Sequence, residues 1–204
     1  MKLLHIDSSI LGPHSVSRTL SSEIVARETA LHPGIQVIYR DLANDKALHL
    51  SGAHMAAWQG GAVEDKVLGA DLATGSAYLD ELFAADVIVI GAPMYNFTIP
   101  SQLKAWIDRI VVAGKTFKYT DAGEVKSLLP PNKKVIIASS RGNVYTPGTP
   151  VAALEHHESY LKSVLSFIGL NDVTVVRAEG VAFGQEAKEA ALAKARADIL
   201  QLAS

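Results

Sequence analysis

The chain has 204 residues, of which 49% are hydrophobic and 20% are charged, and its formal net charge is −2. This composition is typical of a globular protein with enough apolar residues for one substantial core, and we expect a single domain over residues 1–204. A near-neutral charge without a basic stripe argues against nucleic-acid binding, and the absence of cysteine excludes disulfides, thiolate nucleophiles and thiolate metal sites.

The first predicted element is a strand over the apolar run KLLHID at residues 2–7. This run is too short for the core of a signal peptide, and Asp7 interrupts it. The longest apolar run of the chain, residues 87–92, is far below the roughly 20 residues that a membrane-spanning helix needs. We therefore expect a cytoplasmic protein with no membrane association.

Further apolar runs rich in Val and Ile follow at intervals along the chain. They are continuous rather than alternating, which is typical of strands that are buried on both faces in a parallel sheet. Five strands are predicted in this way: 2–7, 35–42, 86–93, 133–140 and 172–180.

Apolar residues at helical spacing fill the intervals between these strands. The clearest stripe contains Leu103, Trp106 and Ile110, with Pro100 placed to start the helix and Gly114 to end it. Strands that alternate with helices predict a doubly wound, three-layer α/β fold. The predicted helices cover residues 16–31, 79–83, 103–111, 152–168 and 185–203.

Two segments do not fit this alternation. Residues 43–72 are too long for a plain loop, and we expect them to contain a helix near residues 55–58 or 63–68. Residues 115–131 form a second excursion, with a turn predicted at residues 121–123.

Three loops follow strands of the predicted sheet, and ligands of open parallel sheets bind at that edge. The loop SSILGPHSVS, residues 8–17, places serines at the start of a helix, where hydroxyls, free N–H groups and the helix dipole suit a phosphate. The alternative is that Ser15 only caps the helix and that the other serines are solvated turn residues. On this loop alone both interpretations stay open.

The other two loops are PMYNF, residues 93–97, and SRG, residues 140–142. The first is stiffened by proline and offers aromatic faces and backbone N–H groups that suit a flat heterocycle, although its bulky side chains are also compatible with a buried turn. The glycine of the second permits close approach of a ligand, although that loop alone is more simply a turn.

No metal site is expected among the histidines. His156 and His157 are adjacent on a predicted helix and point about 100° apart, so they chelate poorly. For His49, His54 and the others we expect solvated or capping roles. The chain also contains no G-x-G-x-x-G, no G-x-S-x-G and no complete P-loop sequence, which argues against a Rossmann dinucleotide site, a serine hydrolase and a P-loop enzyme.

Taken together, the loops and several short motifs resemble those of the FMN-dependent NADH azoreductases, which belong to the flavodoxin-like NAD(P)H:quinone oxidoreductases. The resemblance covers nearly the whole chain, and PMYNF is its most specific part. Asn143 departs from the family pattern, which has a second glycine after SRG. The motifs are the spaced serines of residues 8–17, PMYNF (93–97), FKYT (117–120), SRG (140–142), LSFIGL (165–170) and AEG (178–180).

The resemblance implies a flavodoxin-like three-layer sandwich around a five-stranded parallel sheet, with one FMN bound tightly but non-covalently. No side chain is expected to be catalytic, because the flavin carries the chemistry. The implied cofactor-binding residues are Ser9, Ser15, Val16, Ser17, Pro93, Met94, Tyr95, Asn96, Phe97, Ser140, Arg141, Gly142 and Asn143.

The resemblance also implies the reaction. NADH or NADPH reduces the flavin and leaves, and a quinone or azo compound then takes its place and is reduced, so turnover is ping-pong. The first alternative is a flavodoxin-like electron carrier without a small-molecule substrate of its own, a role that a near-neutral surface suits poorly. The second is a regulatory α/β domain that binds no flavin.

A homodimer with shared active sites is the last implication. Phe167 lies about 100° round its predicted helix from Ile168 of the apolar stripe, so either a neighbouring loop or a second subunit covers it. The resemblance favours a second subunit, with Phe167 reaching over the partner's flavin to bind substrate. Tyr119 is a weaker candidate for the same substrate pocket.

Overall fold

The computed structural model describes residues 1–45 and 47–203. The predicted strands and helices form within a few residues of the expected bounds, apart from the helix over 152–168 and the helix over 79–83, which is the last part of a longer helix. In chain order the elements are β1 (Lys2–Asp7), α1 (Val16–Leu31), β2 (Gln36–Asp41), α2 (Gly52–Trp58), α3 (Lys66–Ala84), β3 (Val87–Pro93), α4 (Ser101–Ile110), β4 (Phe117–Tyr119), β5 (Val125–Ser127), β6 (Lys134–Ser140), α5 (Glu158–Phe167), β7 (Asp172–Ala178) and α6 (Gln185–Leu200).

A parallel sheet in the order β2-β1-β3-β6-β7 forms the centre of the molecule. In this sheet β2 lies on one side of β1, and β3, β6 and β7 follow on the other side. The strand order therefore reverses between β1 and β3. The register brings the carboxyl ends of the strands together, with Asp7 beside Gly91 and Pro93 beside Ser140. The predicted five-stranded parallel sheet is confirmed, and the three candidate loops meet at the edge where such sheets bind ligands.

Helices cover both faces of the sheet, which confirms the three-layer prediction. On one face α3, α4 and α5 bury Trp106 and Leu161, and on the other α1 and α6 bury Ile24 and Ile199. The edge strand β2 is less covered, because Val37 is 43% exposed. Of the helices formed by residues 1–45 and 47–203, none is both long and apolar enough to cross a membrane.

The prediction of one continuous helix over 152–168 is wrong. A single 3₁₀ turn spans Ala152–Leu154, the chain then extends, and α5 begins only at Glu158. The break has a local cause, since the carboxylate of Glu155 accepts the N–H groups of His157 at 2.8 Å and of Glu158 at 2.6 Å and so caps the new helix. Leu154, predicted as part of the apolar stripe, is 40% exposed.

The two segments that did not fit the predicted alternation, residues 43–72 and 115–131, contain helices and strands of their own. Within residues 43–72 the helix α2 includes the expected residues 55–58. The second expected place, residues 63–68, contains the start of α3, where Asp65 caps the helix. Residues 115–131 contain the antiparallel hairpin β4–β5, and the predicted turn at 121–123 includes Gly123 at φ 79°.

Candidate active site

A cavity of about 280 Å³ opens at the carboxyl ends of β1, β3 and β6. All three candidate loops contribute to its wall, which is what their shared position at the edge of the sheet predicts. The lining includes four residues that were not predicted to bind the cofactor: Leu11 and His14 of the first loop, Val181 and Lys188. The predicted residues that line it are Ser9, Ser15, Val16, Pro93, Met94, Tyr95, Ser140, Arg141 and Gly142, whereas Ser17, Asn96, Phe97 and Asn143 do not.

The first wall is the start of α1. The hydroxyl of Ser15 accepts the N–H of Arg18 at 3.2 Å and so caps the helix, and it also bonds the buried Ser17 hydroxyl at 3.0 Å. The side chain of Ser17 is therefore buried against Ser15 and does not line the cavity. The N–H groups of Val16 and Ser17 have no partner among the described residues, as expected in the first turn of a helix. Free N–H donors and the positive end of a helix dipole form an anion-binding arrangement.

Arg18 braces this wall and was not predicted. Its guanidinium donates to the carbonyl of Ser9 at 2.8 Å and to Asp41 at 3.0 Å, and it also reaches the hydroxyl of Tyr39. Burial would raise the pKa of Asp41, but the hydrogen bonds and charge of Arg18 outweigh it and lower that pKa. No local pattern marks Arg18, because its partners come from β2 and from the far side of the loop.

The second wall is a tight turn over residues 95–98. Tyr95 and Thr98 exchange backbone hydrogen bonds of 2.9 and 3.1 Å, while Asn96 and Phe97 adopt positive φ angles of 47° and 72°. Two central residues with positive φ define a type I′ turn, which normally favours Asn-Gly. A phenylalanine in the left-handed region is strained, and such strain clusters at functional sites. The N–H groups of Asn96 and Phe97 have no partner in the described part of the chain and are free to meet a ligand.

Hydrogen bonds hold this turn in place from both sides. The hydroxyl of Tyr95 lies 3.1 Å from that of Ser9, which ties the second wall to the first. On the other side the N–H of His156 donates to the carbonyl of Phe97 at 3.0 Å. Phe97 remains 43% exposed and meets the ring of Tyr145 edge-on, with centroids 6.4 Å apart. The turn is therefore a rigid platform between the two neighbouring loops.

The third wall begins at Arg141, whose guanidinium is buried and paired with carboxylates through its two terminal nitrogens, while its Nε has no partner among the described residues. It pairs with Glu158 and with Glu179 at 3.1 Å, while its backbone N–H donates to Ala178 at 2.9 Å. Arg141 lines the cavity but has little left to donate to a ligand. Asn143 does not use the left-handed conformation that asparagine tolerates, and its side-chain oxygen accepts the N–H of Val144 at 2.7 Å instead.

An unusual pair of ionisable groups lies behind this wall. Burial, followed by the charge of Arg141, lowers the pKa of His157 to about 4, so this fully buried imidazole is neutral at pH 7. Burial would raise the pKa of Glu158, but the hydrogen bonds from Arg177 and the charge of Arg141 outweigh it and bring that pKa to about 2. The third loop thus rests on an ionic cluster with a neutral histidine beside it.

The two predicted substrate residues lie apart from this cavity. Phe167 is the last residue of α5, so about 13 to 14 Å of helix separates it from Glu158 beside Arg141. Its ring packs against Phe117 of the hairpin at 4.7 Å, and Phe117 in turn contacts Tyr119 at 5.5 Å. Tyr119 is 61% exposed and Phe167 is 37% exposed, so the hairpin covers Phe167 only in part.

Residues 1–45 and 47–203 contain no group of three or more His, Asp or Glu side chains arranged to hold a metal ion. His54 differs from the expected solvated histidine, because it is 1% exposed. It caps the start of α2 together with Ser51, as expected of a capping role, and its ring also meets Asp71 at 2.9 Å.

The comparison with known proteins agrees with this geometry. A family model described as flavodoxin-like fold matches residues 1–203. The chain is 56% identical to an FMN-dependent NADH:quinone oxidoreductase of Methylorubrum extorquens, over 96% of this chain and 95% of the relative. A protein of the same name from Sinorhizobium fredii is 53% identical over the full length of both chains.

Solved structures with the same arrangement come from Bacillus anthracis. An FMN-dependent NADH-azoreductase of the Ames Ancestor strain, in complex with FMN, superposes with a TM-score of 0.85 at 26% identity, covering 100% of this chain and 99% of the other. An azoreductase of the Sterne strain gives a TM-score of 0.82 at 28% identity, over 99% of this chain and 100% of the other.

Proposed function

The chain belongs to the flavodoxin-like fold family, and from this premise we propose that it is an FMN-dependent NADH:quinone oxidoreductase that also reduces azo compounds. Relatives that share more than half of its residues along nearly its whole length have the first activity in their names, and structural neighbours have the second. The electron-carrier alternative has no counterpart in those names. The observation that carries the proposal is the cavity between the start of α1 and the strained turn at 95–98.

The donors around this cavity fit FMN. We propose that the phosphate binds at the start of α1, against the hydroxyls of Ser9 and Ser15 and the free N–H groups of Val16 and Ser17. The flat ring system then lies against the 95–98 turn, where unpaired N–H groups meet its polar edge. When bound, FMN supplies the redox chemistry by taking a hydride from the nicotinamide and passing two electrons to the acceptor. The side chains bind and orient; none is proposed as an acid or base.

The finer points of the proposal concern assembly and kinetics. The protein acts in the cytoplasm as a homodimer, in which Phe167 and Tyr119 of one chain complete the acceptor site over the flavin of the other. The exposed fractions of these two rings, and the distance of Phe167 along α5 from the cavity of its own chain, support this arrangement. Donor and acceptor use the same site in turn, so double-reciprocal plots at several acceptor concentrations are expected to be parallel.

Chromatography of the cofactor released from purified, denatured protein tests the proposal. We expect FMN at one equivalent per chain and NADH oxidation that depends on an added quinone. FAD as the sole tightly bound flavin, or no flavin after reconstitution, would contradict it.

A further inference from the structure

We propose that Lys188 supplies the positive charge that balances the FMN phosphate and thereby makes the protein select FMN over riboflavin, an inference that rests on the proposed function. Lys188 lies in the first turns of α6 and lines the same cavity as Ser9, Ser15 and Val16. Nothing in its local sequence marks it as a ligand residue.

The start of α1 cannot balance the phosphate by itself. A phosphate monoester carries between one and a half and two negative charges near pH 7. The serine hydroxyls are neutral, and the end of a helix acts as roughly half a positive charge. A further cation at this end of the cavity would therefore stabilise the bound phosphate.

Two arginines near the cavity are already committed elsewhere. The guanidinium of Arg18 is bound by Asp41 and by the carbonyl of Ser9, and that of Arg141 by Glu158 and Glu179. Their charges balance carboxylates of the protein itself. Arg141 keeps one buried donor, Nε, without a partner among the described residues, but the charge of each guanidinium is already paired with carboxylates.

The ammonium of Lys188, in contrast, has no carboxylate within 4.0 Å among residues 1–45 and 47–203 and makes no hydrogen bond there. Its side chain is half-buried against the cavity. Among the described residues that line the cavity, Lys188 is therefore the lysine or arginine whose charge is not paired with a carboxylate.

The packing of two parallel helices places Lys188 beside the proposed phosphate site. Arg196 of α6 pairs with Glu23 of α1 at 2.8 Å, and Arg27 of α1 donates to the carbonyl of Leu200 at 3.1 Å. Both contacts join residues that are 173 apart in sequence, so the two helices run side by side in one register. In that register Lys188 lies level with Ser15, the residue that caps α1.

Fluorescence titration of the flavin-stripped full chain at pH 8, with FMN and with riboflavin, tests this assignment. For Lys188→Ala we expect FMN affinity to fall about tenfold, because a charge-assisted bond to phosphate is lost. Riboflavin affinity should change less than twofold. Lys188→Arg should retain most of the preference for FMN, and the matched control Lys194→Ala, on the same helix but exposed, should behave as wild type.

The outcomes separate this inference from the proposed function. If Lys188→Ala loses FMN and riboflavin affinity equally, or loses neither, the assignment of Lys188 is wrong while flavin binding stands. If the wild-type chain binds neither flavin, the proposed function itself fails and the role of Lys188 fails with it. A weaker dependence of FMN affinity on salt in Lys188→Ala than in wild type would support the charge-balancing role directly.

Discussion

Phe97 holds a backbone conformation that its own side chain disfavours, since its φ is 72°. Glycine adopts this region without strain, whereas any residue with a Cβ loses about 1–2 kcal/mol there. We therefore expect Phe97→Gly to be more stable than Phe97→Ala by roughly 0.5–1 kcal/mol, after the greater freedom of glycine in the unfolded chain is counted. Urea denaturation of the two variants measures this difference. Because both variants lack the phenyl ring, the loss of its contacts cancels in the comparison. An alanine variant as stable as the glycine variant would mean that the turn relaxes once the ring is gone.

The buried His157 predicts a loss of stability in mild acid. Its pKa is lowered from 6.5 to about 4 in the folded state, so the unfolded chain binds the extra proton between these values. The contribution of the neutral His157 to the free energy of unfolding is therefore fully present above pH 6.5. It is lost as the pH falls towards 4, by about 3 kcal/mol in all. Below pH 4.5 the lowered pKa of Glu158 adds a further loss in the same direction.

Denaturant unfolding at several pH values between 7 and 4 checks this expectation. His157→Leu should flatten the curve between pH 6.5 and 4, because the titrating group is gone, while the exposed neighbour His156→Leu serves as the control. An equally steep curve in His157→Leu would assign the acid sensitivity to another group.

At the level of single residues, the sequence indicated the loops that carry free backbone N–H groups better than it indicated the side-chain contacts of the site. The serine loop and PMYNF were recognisable because their residues are local to one loop. Arg18 was missed because its partners come from distant parts of the chain, and Lys188 was missed because only the packing of α6 brings it to the cavity. The carboxylate partners of Arg141 were not predicted for the same reason, since they lie in α5 and after β7.

Among the elements, α2, α3 and α4 are joined by a buried ionic network. Asp71 of α3 accepts from Arg109 of α4 at 2.7 Å and from the backbone of Leu48 at 2.7 Å, and it meets His54 of α2. Burial would raise the pKa of Asp71, but the hydrogen bonds from Leu48, Arg109 and His54 outweigh it and lower that pKa. This network explains how the long segment before α3 is held on the domain.

Asp71→Asn is expected to destabilise the fold by about 3–5 kcal/mol, because it leaves the charge of Arg109 buried without a counter-ion. The matched control is Asp108→Asn, which removes the partner of the more exposed Lys104 on the same helix α4 and should cost less than about 1 kcal/mol. Chemical denaturation compares the two. Similar losses in both variants would show that the buried pair contributes no more than a surface one.

Element prediction succeeded where apolar periodicity alone decides the structure, as in β1, β3, β6 and α4. It failed at the start of α5, where the apolar residues keep helical spacing across residues 154–168 but the side chain of Glu155 ends one turn and caps the next helix. A side chain that bonds backbone groups two and three residues ahead leaves no signal in a hydrophobic pattern.

For the whole molecule, the proposed homodimer leads to a complementation test. Ser15→Asp keeps a residue that caps helices well but repels a phosphate, so a chain carrying it should bind no FMN. In a mixed dimer with Phe167→Ala, the single remaining flavin faces the intact Phe167 of the Ser15→Asp chain. We expect that site to show the wild-type KM for the acceptor.

Sedimentation should first give twice the 21.7 kDa mass of the chain. If the mixed dimer keeps the acceptor KM of the Phe167→Ala parent, Phe167 acts within its own chain and the shared site is wrong. FMN content of each parent, measured alongside, shows whether the two defects are separate.

The overall topology was predictable because five continuous apolar runs alternating with helical patterns leave few other arrangements. The resemblance carried by PMYNF then indicated the cofactor. What the pattern could not supply is the packing of one helix against another, because the register of α1 and α6 is set by pairs such as Glu23 with Arg196 that are remote in sequence.

The cavity walls come from the ends of β1, β3 and β6 and from α6, so the cavity is complete only when the chain is almost complete. During synthesis the loop around Ser9 emerges first and α6 last, and parallel strands can pair only after each crossover helix has formed. Capture of flavin is therefore an event that follows translation. A chain in which α6 has not docked has an incomplete cavity wall, so we expect it to retain less flavin than the folded chain.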